Sequence, residues 1–194
     1  MNRKICLATH NAHKAEELQA LLGDQFEIET LASLGITDEI PETENTLDGN
    51  SLLKARAVWE MTQMPVLADD SGLEVDALNG EPGVFSARYA GEHGHHAKNM
   101  DLLLKNMEGI ENRGAQFRTI ITWWDAQGPV QFEGIVRGRI LTEKVGDQGF
   151  GYDPLFVPEG FDRTFAQMSL EEKNPLSHRG QAIAKWLAYI RPTD

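Results

Sequence analysis

Only one cysteine, Cys6, stands in 194 residues, so no internal disulfide can form and the chain suits a reducing compartment. It lies in the apolar run Ile5-Cys6-Leu7-Ala8, where a small core residue is expected rather than a nucleophile. No stretch approaches the roughly 18 apolar residues of a membrane span, and the N-terminus lacks the apolar stretch of a signal peptide. The expectation is a cytoplasmic protein without a membrane partner. Basic residues are scarce: 18 Lys and Arg against 30 Asp and Glu give a formal charge of -12. A field of that sign repels polyanions, which argues against DNA or RNA as a partner. A small anionic substrate stays admissible wherever a basic pocket or a divalent cation reverses the local sign. Internal repeats and low-complexity tracts are absent as well.

What is present is ordinary for a folded protein: 41% hydrophobic and 25% charged residues, enough for one core. One domain over residues 1–194, with two lobes allowed, is the expectation. Strand-like and helix-like runs alternate, which predicts an α/β fold with a mixed sheet flanked by helices. Residues 5–9 read as a buried strand, 14–22 as a helix, 26–31 as a half-buried strand and 47–62 as a helix. Residues 65–68 read as a short strand that ends in an acidic turn. Residues 73–78 alternate again, and 97–107 look helical. Residues 117–124 and 130–140 form a plausible hairpin, and Ile183, Trp186, Leu187 and Ile190 make the stripe of a last helix. Between them, residues 79–94 hold Gly80, Pro82, Gly83, Gly91 and Gly94, the composition of a long functional loop or lid. Trp123, Trp124 and Trp186 are expected in core or dimer packing.

Four constellations carry chemistry. The first, Thr9-His10-Asn11-Ala12-His13-Lys14, links the first strand to the first helix. A helix start carries roughly +0.5 charge, and Lys14 adds a full one, so phosphate oxygens would be attracted. An ordinary polar turn with Asn11 as N-cap explains the same residues, and the glycines of a Walker loop or dinucleotide fingerprint are missing. His10 and His13 have no third ligand of matching type nearby and are read as solvated donors. The second, Ala68-Asp69-Asp70-Ser71-Gly72, offers hard oxygens, few in number, of the kind that hold magnesium jointly with substrate phosphates; Glu42 and Glu44 lie upstream in an acidic loop. A plain turn with Gly72 at positive φ is the alternative.

The third, residues 146–154, contains Gly146, Gly149 and Gly151 with Phe150 and Tyr152, which would stack on a base or else tuck into the core. The fourth, residues 172–180, gathers Lys173, His178 and Arg179 after Ser177, donors suited to phosphate or a purine carbonyl. A solvated basic cluster is its alternative. Lys54, on the helix from Leu47, is either solvated or snorkels toward a cleft.

Four stretches together, 67–78 (LADDSGLEVDAL), 83–91 (GVFSARYAG), 149–154 (GFGYDP) and 177–182 (SHRGQA), resemble the inosine triphosphate pyrophosphatase family. Its bacterial members hydrolyse non-standard purine nucleoside triphosphates such as ITP, dITP and XTP to the monophosphate and pyrophosphate. The resemblance covers nearly the whole chain. It implies an elongated mixed sheet with two lobes around a central cleft, a Mg2+ cofactor and a homodimer. It also implies Thr9, Asn11 and Lys14 at the triphosphate, Asp70 as proton acceptor and metal ligand, and Glu42 as the upstream metal ligand. Ser71, Phe150, Gly151, Tyr152, Asp153, Lys173, His178 and Arg179 match substrate contacts, the later ones around the purine. Lys54 and Asp69 match further polar residues of the cleft. Two departures stand out. His10 and His13 occupy places where many relatives carry glycine, and Gly49-Asn50-Ser51 replaces the usual Glu-Asn-Ala, removing one carboxylate near the metal.

Overall fold

The computed structural model describes residues 3–190. Six strands form one mixed sheet in the order β2-β1-β3-β4-β5-β6: β1 (Arg3–Leu7), β2 (Phe26–Thr30), β3 (Val66–Val75), β4 (Gly114–Asp125), β5 (Gly128–Ile140) and β6 (Phe156–Pro158). β1 runs parallel to both β2 and β3, whereas β5 and β6 are antiparallel. The helices are α1 (Ala12–Leu22), α2 (Leu47–Thr62), α3 (His96–Asn106), α4 (Leu170–Leu176) and α5 (His178–Ile190). Among the described residues no helix is long and apolar enough to cross a membrane. The chain divides into two compact units, which β3, β4 and β5 each supply with residues.

The first unit takes residues 3–70, 119–134 and 179–190 of the described chain. Its central strands, residues 5–7 of β1 and 66–70 of β3, are buried on both faces, as a parallel sheet under helices requires. Ile5, Leu7, Leu67 and Trp123 join Leu18 of α1 and Trp186 of α5 in one cluster. Their immediate neighbours Cys6, Ala8, Val66, Ala68 and Trp124 join Ala55 and Val58 of α2 in another. The period of two along each strand produces this split. Burial also pushes the Cys6 thiol up to about 11, which leaves it an inert core residue as expected. The starts of α1 and α2 are capped by side chains. The Asn11 carboxamide accepts from Lys14 N–H at 3.1 Å, and the Thr46 hydroxyl from Gly49 N–H at 3.0 Å.

The second unit takes residues 71–118 and 135–178. Leu73, Val75, Met100, Leu103, Phe117, Phe156 and Phe165 form its core. Ser169 and Glu172 cap α4 reciprocally. The glycine-rich stretch expected as a loop or lid is pinned down here. A short 3-10 helix, Gly83–Arg88, occupies its middle. Asn99 of α3 accepts from Ala90 N–H at 2.8 Å and donates to the Ala87 carbonyl at 3.1 Å.

One expectation is corrected. The acidic residues do not form a turn: β3 runs without interruption from Val66 through Asp69, Asp70, Ser71 and Gly72 to Val75. Gly72 does not supply positive φ. It lets the backbone of Gly83 approach, because a Cβ there would collide with the Gly83 carbonyl. Gly72→Ala is therefore expected to lower unfolding free energy by about 1–3 kcal/mol through overpacking against rigid backbone, read as a shift in the urea midpoint at unchanged slope. An unshifted midpoint would contradict that close approach.

Candidate active site

The alternation that sorts the first core also sorts the two aspartates. Asp69 continues the face of Leu67 and meets α1 and α5; Asp70 continues the face of Val66 and Ala68 and meets α2. Asp69, 2% exposed, takes Lys14 Nζ at 3.1 Å on Oδ2, and the same oxygen takes Arg179 Nη2 at 3.1 Å. Arg179, 1% exposed, also gives Nη1 to Glu17 Oε2. Two cations and two carboxylates balance on this face. Burial alone would raise the Asp69 carboxyl, but Lys14, Arg179 and Lys54 outweigh it and hold the group well below the usual carboxylate range. Burial lowers the Arg179 guanidinium, and Glu17 and Asp69 more than restore it, so its value is raised.

The other face does not balance. Lys54 Nζ lies 2.8 Å from Glu42 Oε1 and 3.1 Å from Asp70 Oδ1, one cation for two carboxylates. Asp70 Oδ2 is buried without a hydrogen-bond partner. Burial drives the Asp70 carboxyl upward, Lys54 and Lys14 oppose that, Glu42 adds to it, and the net shift is upward. The Lys54 ammonium, which burial lowers, is raised overall by Asp70, Glu42 and Asp69. Lys54 is thus buried rather than solvated.

The turn at the start of α1 matches its expectation in part. Thr9 Oγ1 accepts from Asn11 N–H at 3.1 Å, Asn11 caps the helix, and no acidic residue stands in the first turn. His10 and His13 are exposed; His10 Nε2 sits 3.1 Å from the Asp38 carbonyl.

Ser71 follows Asp70 on β3, half-buried, and belongs to the second unit with Phe150, Gly151, Tyr152, Asp153, Lys173 and His178. Lys173 Nζ pairs with Asp153 Oδ2 at 2.6 Å and lies 5.3 Å from the centre of the Phe150 ring. The same Asp153 oxygen accepts from Phe150 N–H at 2.9 Å, a position open only because Gly149 has no Cβ to meet it. The His178 ring stacks on Phe117 with centroids 4.9 Å apart. Tyr152 is in the core, its hydroxyl donating to the Ser86 carbonyl at 2.9 Å, whereas Phe150 is only half-buried.

The late basic residues are not one solvated cluster. Lys173 turns to Asp153, His178 to Phe117, and Arg179 to Asp69 and Glu17. A buried charged residue of this site that escapes a reading of the sequence is Glu17. Glu17 stands three residues after Lys14, on the same helical face beside Leu18, and that spacing is the signal that could have found it.

Buried carboxylates paired with lysines, one of those lysines in the first turn of a helix on an α/β sheet, suit a hydrolase that handles anionic nucleotides. That is the class to which fold and site assign the protein. The sequence profile of the Ham1 family matches residues 5–189, and the chain belongs to that family. A relative from Flavobacterium psychrophilum, named dITP/XTP pyrophosphatase, is 48% identical over 188 residues, which cover 97% of this chain and 99% of its own. Among solved structures, the Ham1 protein of Staphylococcus aureus is 38% identical with a TM-score of 0.87. A HAM1 protein of Coxiella burnetii is 36% identical with a TM-score of 0.88. Both alignments cover 97% of this chain and 98% of the other.

Proposed function

We propose that this chain hydrolyses ITP, dITP and XTP to the nucleoside monophosphate and pyrophosphate, clearing them from the nucleotide pool. The observation that carries the chemistry is the unbalanced face of β3, where Asp70 keeps a buried, unpartnered oxygen beside Glu42 and a single lysine. Those hard oxygens fit Mg2+, and Glu42 and Asp70 are the residues that would hold it. With two carboxylates from the protein, the remaining ligands of such a cation would come from substrate phosphates and water. Bound there, magnesium would neutralise triphosphate charge and polarise a phosphoryl oxygen.

The chain's own residues do the rest. Asp70, whose carboxyl burial raises above its ordinary value, accepts a proton from the water that attacks the α-phosphorus. The new O–P bond forms as the bond from that phosphorus to the bridging oxygen breaks. Lys14, with Thr9 and Asn11 at the start of α1, stabilises the charge that accumulates on the departing pyrophosphate. Asp69 fixes Lys14 and Arg179 from the opposite side of the strand. For the purine, Phe150 offers a ring face, and Lys173 and His178 offer donors to a 6-oxo group. Adenine, which presents an amino group at that position, leaves such donors unpaired.

A panel of ITP, XTP, GTP, ATP and dUTP, assayed for pyrophosphate with Mg2+, tests this reading. ITP and XTP are expected to exceed ATP and dUTP by about 100-fold or more in kcat/KM. Equal rates across the panel would defeat it. The same reading takes residues 1–194 as one domain that works as a homodimer in the cytoplasm, with neither nucleic acid nor membrane as partner.

A further inference from the structure

A chain of hydrogen bonds crosses the space between α2 and the sheet and ends on the strand that carries the two aspartates. Ser51 of α2 and Thr122 of β4 are fully buried, and their hydroxyl oxygens lie 2.7 Å apart. Ser51 Oγ donates to the Ala68 carbonyl at 3.3 Å. From β5, Gln131 Nε2 donates to Thr122 Oγ1 at 3.0 Å and to the Asp48 carbonyl, in the first turn of α2, at 2.9 Å. A hydroxyl has one proton to give. Ser51 gives its own to Ala68, so the proton between the two hydroxyls belongs to Thr122. Only one order is then possible: Gln131 to Thr122, Thr122 to Ser51, Ser51 to Ala68.

The apolar packing around this chain does not need it. Thr122 shares its face of β4 with Trp124, in the cluster where Cys6, Ala8, Val66 and Ala68 meet Ala55 and Val58 of α2. Most of those side chains are small, and apolar contact is non-directional, so it holds a helix on a sheet without fixing its position along the strands. A directed chain of hydrogen bonds does fix it. Ser51 and Lys54 stand three residues apart on one face of α2, and Ala68 and Asp70 two residues apart on one face of β3. The elements tied by the Ser51 hydroxyl are thus the elements tied by Lys54 Nζ and Asp70 Oδ1 at 3.1 Å. Helix side chains lean toward the N-terminus, so Lys54 reaches back over the turn that Ser51 anchors.

We propose that Ser51 and Thr122 are positioning residues of the reaction: their hydroxyl pair, closed by Gln131 at one end and the Ala68 carbonyl at the other, sets where α2 sits on β3 and so holds Lys54 against Asp70. Neither residue touches the substrate; both act through that lysine and that aspartate. The inference rests on the reading of Asp70 as proton acceptor given above and deepens it, since both hydroxyls lie outside the four motifs. The triphosphate residues Thr9, Asn11 and Lys14 lie outside this chain of hydrogen bonds, at the start of α1. Loss of a hydroxyl is therefore a loss of turnover rather than of substrate binding.

Steady-state kinetics of the full chain on ITP with Mg2+ test it. Thr122→Val keeps the side-chain shape and removes the hydroxyl, while Gln131 keeps the Asp48 carbonyl and Ser51 keeps the Ala68 carbonyl as partners. Its kcat is expected to fall about 5- to 30-fold with KM within about twofold of wild type, the cost of a small misplacement of reacting groups. Thr122→Ser, which restores the hydroxyl without the methyl, is expected to return kcat to within about threefold of wild type. Ser51→Ala should match Thr122→Val, and the double variant should lose no more than about twofold beyond either, because one chain is broken only once. Val58→Ala opens a cavity under the same helix and is expected to lower the thermal midpoint further than Thr122→Val while leaving kcat within about twofold. A Thr122→Val kcat within twofold of wild type, an equal loss in Thr122→Ser or Val58→Ala, or losses that multiply in the double variant would each overturn the proposal. ITP left intact by the wild type would overturn the pyrophosphatase reading and this inference with it, whereas an active wild type indifferent to the two hydroxyls overturns this inference alone.

Discussion

Asp70→Asn is expected to lower pyrophosphate release from ITP by about 100- to 10,000-fold, the range carried by a positioned proton acceptor, while nucleotide binding persists. The side chain keeps its shape, and Lys54 keeps Glu42 as a partner at 2.8 Å, so the loss belongs to chemistry rather than to folding. Stability is expected to move the other way. Burial raises the Asp70 carboxyl in the folded chain, so the folded state holds that proton more tightly than the unfolded one. As pH rises from the ordinary carboxylate range through the raised value, Asp70 subtracts stability, and the asparagine does not. The thermal midpoint of the variant in metal-free buffer should therefore equal or exceed that of wild type near neutral pH, and gain on it as pH rises above the ordinary carboxylate range. A functional group kept at the expense of stability behaves this way. A variant that loses activity and midpoint together would contradict the assignment.

The neighbouring aspartate should give the opposite result. Asp69→Asn is expected to remove about 3–5 kcal/mol of unfolding free energy, because it leaves Arg179 buried with one carboxylate instead of two. Lys14 loses its 3.1 Å partner at the same stroke. Linkage supplies a second signature. The Asp69 carboxyl is held well below its usual range, so its contribution is fully present above about pH 4 and drains away as pH falls below that value. Urea unfolding at about pH 7 and at about pH 2 should show wild type losing more stability on acidification than the variant. Parallel losses would mean that Asp69 is not the ion-paired group. On the proposed reading two adjacent aspartates take opposed roles, one stabilising and one reactive, because a strand sends them to opposite faces.

That contrast marks where the sequence could be read and where it could not. The boundaries of α1 and α2, the β4–β5 hairpin and the stripe of α5 follow from local periodicity and capping residues, which the chain carries in plain order. The run Asp69-Asp70-Ser71-Gly72 reads as a turn because its residue types favour turns. It is a strand because the burial pattern resumes at Leu73 and Val75 and because Gly72 admits the backbone of Gly83, a contact eleven residues away. Tertiary pairing overrode local composition there. The late basic residues show the same limit. Lys173 and Arg179 are close in sequence, but their carboxylates, Asp153 and Glu17, stand 20 and 162 residues away from them. No window of sequence contains those pairs. Glu17 itself passes for a solvated helix residue until Arg179 is placed against it. The four motifs, which lie between residues 67 and 182, did carry the family, whose profile matches residues 5–189.

The most direct test of the account is a single turnover of ITP in H2(18)O with Mg2+ and stoichiometric protein, with both products analysed by mass spectrometry. Attack at the α-phosphorus, assisted by Asp70, predicts one 18O atom in the IMP and none in the pyrophosphate. Label in the pyrophosphate, or orthophosphate with IDP as the products, would place the attacked phosphorus elsewhere and contradict the central claim.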